Sequence, residues 1–188
     1  MIGVYDFCGH YDWTFAWLER AGGPALLREY WDAAIHHDSQ RHAAELIRAE
    51  GIAGMQEYWG CTLAEEGGSH HTTATVDAFR IDMHDCPSKG FLLRNGLQRH
   101  PDYCDHCLGW IGPMLKDAGF VIDHVHNHCG QCWWEMRRAS DPTPASQPGE
   151  LAGPRDVRLR PDWKRPGEAL DAFRRTNNLA NKETQSAA

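Results

Sequence analysis

The stretch from Cys86 to Trp134 constrains this chain more than any other. It reads Cys86-Pro87, then Cys104-Asp105-His106-Cys107, then His124-Val125-His126-Asn127-His128-Cys129-Gly130-Gln131-Cys132. Five of the seven cysteines and five of the twelve histidines fall in it, so these distant segments are expected to meet. Two pairs have the C-x-x-C spacing, and the gap between them is close to that of a Cys₄ zinc site. The N-terminus has neither a basic n-region nor an apolar h-region, and no run is long enough to span a bilayer. That places the protein in a reducing cytoplasm, where thiols at this density hold a metal before they form disulfides.

The rest of the chain reads as one α+β domain over residues 1–138, followed by a Pro-rich extended tail over 139–188. The first third is helical. Phe7, Trp13, Phe15, Trp17 and Leu18 predict a helix over 6–21 that stops at Gly22-Gly23. Pro24 opens a second helix, and Asp38-Ser39 offers N-cap chemistry for a third that Gly51 closes. A fourth helix fits 52–65. Cys8 and Cys61 read as core residues, and His36, His37 and His42 as solvated, because their spacing shares no α-helical face. The pattern then alternates. Residues 72–85 predict one strand with Phe79, Ile81 and Met83 on its buried face.

This strand delivers Cys86, which Pro87 keeps out of helical geometry. Helices are expected over 88–97 and 103–116, strands over 120–126 and 132–137, and a tight turn over 127–131. The expected architecture is an N-terminal helical layer on a small, mainly antiparallel sheet. Six prolines between 142 and 166 make the segment after Arg138 a tail rather than core. Leu170, Phe173 and Leu179 suggest a short amphipathic segment that can pack on the domain or on a second subunit, giving a homo-oligomer. The residues from Lys182 onward read as disordered. A net charge of −7 argues against nucleic acid and anionic membranes as partners, and leaves a small-molecule substrate.

Three chemistries compete for the cysteines. The first is a metal, either zinc or an iron–sulfur cluster. Cys86, Cys104, Cys107 and Cys132 would hold it, with Cys129 as the alternative fourth ligand; a ribbon-like set of Cys104, Cys107, Cys129 and Cys132 also suits zinc. The second is a nucleophilic Cys104 whose pKa a helix N-terminus would lower. The third is packing alone. The histidines His106, His126 and His84 are the candidates to move a proton, with Asp105 or Glu135 to orient one of them. Trp110, Trp133 and Trp134 would wall a pocket.

The order strand, Cys86-Pro87, Cys104-x-x-Cys107, Gly130-x-Cys132 resembles the L-2-amino-thiazoline-4-carboxylate hydrolase-like family over roughly residues 40–137. The resemblance implies hydrolytic opening of a small C–N heterocycle. This chain departs from the family's pattern in Cys107, where an acid is expected, and in the added His124, His126, His128 and Cys129. The expected function is a metal-dependent hydrolase of a C–N or related bond. The alternatives are a non-enzymatic metal-binding or redox protein and a cofactor-free cysteine hydrolase.

Overall fold

A computed structural model of the chain describes residues 4–163. Helix α1 (Val4–Tyr30) breaks at Gly23, whose φ of 72° and ψ of −175° only glycine adopts without strain, and Pro24 restarts it. The expected stop and restart are therefore both present. The next segment departs from expectation. Trp31–Ser39 is a π-helix, and Asp38-Ser39 caps nothing. Helix α2 (Arg41–Glu50) begins after Gln40 with no side-chain cap, and the Gln40 amide instead donates to the Ile35 carbonyl at 2.8 Å. Gly51, at a φ of 63°, separates α2 from α3 (Ile52–Glu65).

The single strand expected over 72–85 is two: β1 (Ser69–Ala74) and β2 (Ala78–Asp85). The Thr75 hydroxyl oxygen accepts from the amides of Asp77 and Ala78 and so builds a turn inside a run of strand-forming residues. After α4 (Pro87–Arg94) and α5 (Asp105–Asp117) come β3 (Phe120–His126) and β4 (Cys132–Arg138). The sheet is fully antiparallel in the order β1-β2-β4-β3. The fold is α+β, with its helical layer at the N-terminus.

Successive strand residues face opposite sides of a sheet. Phe79, Ile81 and Met83 of β2 and Trp134 and Met136 of β4 face the helices, where they meet Ile47, Met55, Trp59, Ile111 and Leu115. A second cluster joins Phe15, Leu27 and Trp31 to Leu92 and Tyr103. The opposite sheet face carries Arg80, Asp82, Trp133 and Glu135, all buried.

The segment after Arg138 covers that face, which corrects its reading as a tail apart from the core. Val157 is fully buried and its amide donates to Asp82. Arg80 pairs with Asp156, and the Arg158 guanidinium lies 3.9 Å from the Trp133 ring centroid. Proline spacing hid this, because the contacts come from an aspartate, a valine and an arginine between the prolines. Leu170, Phe173, Leu179 and the residues from Lys182 lie outside the described residues. Two further readings are corrected: Cys61 is exposed rather than core, and His36 is buried rather than solvated. All seven cysteines are free. Among the described residues no helix is long and apolar enough to cross a membrane.

Candidate metal centre

Three short segments converge at one end of the sheet. The first is the end of β2. Cys86 is extended (φ −66°, ψ 124°) and caps α4, with Pro87 in the first turn as its sequence requires. Its sulfur accepts from the Lys89 amide at 3.4 Å. The second is the β3–β4 turn. The Asn127 carboxamide oxygen accepts from the amides of Cys129 and Gln131, and Gly130 takes a φ of 86°. The Cys86 amide donates to the Gly130 carbonyl at 2.7 Å, which ties the first two segments together. The third is the start of α5, where Cys104 is the N-cap residue and Cys107 sits one turn on.

Between them lies a small cavity of about 30 Å³. Cys86, Cys104, Cys107 and Cys132 all line it, together with Lys89, His106, His124, His126 and Trp134. Space of that size holds roughly two water molecules. It has room for an ion with one small ligand. Cys129 is exposed at the turn and does not line the cavity, so the ribbon-like cysteine set is not assembled there.

The ligand geometry is tighter on one side. One donor atom each from Cys104, His126 and His128 lies within 4.8 Å of the other two. Among the described residues no trio of cysteines meets that condition. His126 Nε2 donates to Asp105 Oδ1 at 2.9 Å, which turns Nδ1 toward the interior, where it is buried without a hydrogen-bond partner. A carboxylate on one ring nitrogen and a bare second nitrogen is the arrangement that orients metal-binding histidines. His128 holds a φ of 59°, a strained value for a residue with a side chain, and its ring packs edge-on to His126 at 4.2 Å.

No protein-family model, curated protein or solved structure matches this chain. The chemistry of the pocket must therefore be read from its own residues.

Burial dominates the electrostatics. It pushes the Cys104 thiol up to about 12, against the pull of the Lys89 ammonium. It raises Cys86, Cys107 and Cys132 as well. The lowered Cys104 pKa expected of a helix N-terminus is thus reversed, since removing a thiolate from water outweighs a few aligned amides. A bound cation is what would make thiolates stable here. Burial likewise lowers His106 to about 4 and His124 to about 3, so both rings are neutral at physiological pH. His106 Nδ1 donates to the Tyr103 carbonyl, and its Nε2 faces the Cys107 sulfur at 3.6 Å.

Of the histidines expected to act, His106 and His126 reach the cavity and His84 does not. His84 lies on the other face of β2, 3.4 Å from Arg160. Glu135 and Trp133 also point to that face: Glu135 accepts from the Ser146 amide, and Trp133 packs under Arg158. Only Trp134 of the three tryptophans lines the pocket. Two residues were missed. Lys89 is fully buried, hydrogen-bonds Gln98 and faces the thiols, yet nothing in the local pattern of α4 marks it. His128 continues the alternation of His124 and His126 past the strand end, a signal that was present.

Proposed function

We propose that the protein is a metal-dependent small-molecule enzyme, a hydrolase of a C–N or related bond, whose ion is held by Cys104, His126 and His128. The observation that supports it is the convergence of these three donors beside a cavity large enough for one more small ligand. Three protein ligands and one open position are the pattern of catalytic rather than structural zinc. Thiolate with imidazole suits zinc among the common divalent ions. A zinc ion there would supply Lewis acidity and an activated water.

The surrounding residues have definite tasks. Asp105 fixes the His126 ring. Trp134 donates its indole N–H to the Cys132 sulfur at 2.9 Å, and the Lys89 amide donates to Cys86, so both flanking sulfurs are supplied with donors. Burial lowers the pKa of Lys89 while the neighbouring thiols and Asp12 pull it back up; as an ammonium it favours an anionic group on the substrate. His106, held neutral by burial, faces the Cys107 sulfur with its Nε2. The resemblance to the amino-thiazoline carboxylate hydrolase-like family adds a small C–N heterocycle as the substrate class.

A second reading is an iron–sulfur or redox centre on Cys86, Cys104, Cys107 and Cys132. It is favoured by all four sulfurs lining one cavity. A cofactor-free thiol nucleophile is disfavoured by the burial that raises Cys104 and Cys107.

The test is ring opening of small cyclic amidines, thiazolines and lactams by purified protein, before and after chelation and with zinc restored. Turnover lost on chelation, regained with zinc and absent in His126→Ala supports the proposal. Turnover indifferent to chelators but abolished by thiol alkylation moves the assignment to a cysteine nucleophile. No turnover of any substrate by zinc-loaded protein removes the hydrolase reading.

A further inference from the structure

We propose a second metal site, on the π-helix, in which Asp32, His36 and His37 bind a divalent transition ion of the zinc type. One donor atom from each already lies within 4.8 Å of the others. Asp32 Oδ1 is 2.9 Å from His36 Nδ1 and 3.6 Å from His37 Nε2. Ligands of a tetrahedral ion at its usual bond lengths of about 2.0–2.1 Å stand about 3.3 Å apart. These two separations bracket that value.

The helix type is what assembles the trio. An i→i+5 hydrogen bond widens the turn beyond four residues, so positions i+4 and i+5 both stack over position i. The Gln40 amide on the Ile35 carbonyl is such a bond. Asp32, His36 and His37 stand at i, i+4 and i+5, and the two rings lie near parallel with centroids 4.0 Å apart. In an α-helix the same D-x-x-x-H-H sequence would send His37 away from Asp32. Local π-helical turns concentrate at functional positions.

A second observation points the same way. His36 is buried, and its other nitrogen, Nε2, lies 3.6 Å from Asp117 Oδ2 at the end of α5. Nδ1 donates to Asp32 Oδ1; an ion taking the place of that proton shifts the ring to its Nε2 tautomer, with the N–H facing Asp117. That would be the carboxylate–histidine–metal arrangement, with Asp117 facing His36 at 3.6 Å where Asp105 is hydrogen-bonded to His126 at 2.9 Å at the other end of the same helix. The 13 residues of α5 span about 20 Å, so the two sites are separate. Water would complete the coordination sphere, since Asp32 and His37 are open to solvent. An ion there joins the π-helix to the end of α5.

The test is a Zn²⁺ titration of the full chain followed by NMR of the histidine ring nitrogens, with zinc stoichiometry measured alongside. The expected result is saturable shifts at His36 Nδ1 and His37 Nε2, and one fewer zinc bound by His37→Ala. His37 is 60% exposed, so this variant keeps the fold, which circular dichroism verifies. Asp117→Asn should weaken this site about 10–100-fold and leave the cysteine pocket untouched. Unchanged ring nitrogens at saturating zinc, or an undiminished stoichiometry in His37→Ala, would overturn the proposal.

Discussion

The indole N–H of Trp134 ends 2.9 Å from the sulfur of Cys132, two residues back on the same face of β4. A donor on that sulfur favours the thiolate over the thiol, against the burial that raises its pKa. Trp134→Phe keeps most of the apolar bulk and removes the donor. If Cys132 contributes to a metal environment, zinc affinity should fall by about tenfold. Competition with a chromophoric chelator measures this, and an unchanged affinity would reduce Trp134 to a packing residue.

The close approach of α5 to the π-helix depends on Gly109. A Cβ there would overlap the Trp31 ring, which is buried and has nowhere to retreat. Gly109→Ala should destabilise the fold by about 1–3 kcal/mol. Urea unfolding checks this. Because the same contact sets the distance from His36 to Asp117, zinc binding at the π-helix should weaken in the variant too.

Asp156 links the covering segment to the sheet. Burial alone would raise its carboxyl, but Arg158, the Gly149 amide and Arg80 outweigh burial and hold it well below the usual carboxylate range. The folded state therefore binds fewer protons than the unfolded state as pH falls through the ordinary carboxylate value of about 3.9. The stabilisation is present above that pH and is lost progressively below it. Asp156→Asn should lower Tm at neutral pH and flatten its dependence between about pH 5 and pH 2. Removing one partner of a buried ion pair costs about 3–5 kcal/mol. Equal acid sensitivity in both proteins would show that the Arg80–Asp156 contact carries little.

Much of the fold was legible because alternation and glycine placement are local signals. Phe79, Ile81 and Met83 marked β2, and Gly22-Gly23, Gly51 and Gly130 marked breaks that are all present. The convergence of Cys86, Cys104, Cys107 and Cys132 followed from placing strand ends beside a helix start. The π-helix is not legible, because its apolar spacing departs from the 3.6-residue period of an α-helix, and the burial of His36 depends on it. The Thr75 turn lay hidden in a threonine run that favours strand. The facing of His84, Glu135 and Trp133 is legible in the strand alternation: with Met83 and Trp134 toward the helices, their neighbours must face away. Lys89 was not legible at all, since its burial arises from tertiary packing.

Asp105 gives a further handle on the pocket. Asp105→Asn keeps a hydrogen-bond acceptor for His126 but removes the charge. Zinc affinity should fall about 10–100-fold with no loss of fold, since Asp105 is half exposed. Isothermal titration reads the affinity and circular dichroism the fold.

The most direct measurement is the metal content and absorption spectrum of anaerobically purified protein, compared with Cys104→Ala. The expected result is a colourless protein with one tightly held zinc per chain that the variant lacks. A broad band near ~400 nm would assign the four cysteines to an iron–sulfur cluster instead. Equal metal in both proteins, or none in either, would contradict a metal held at the cysteine pocket.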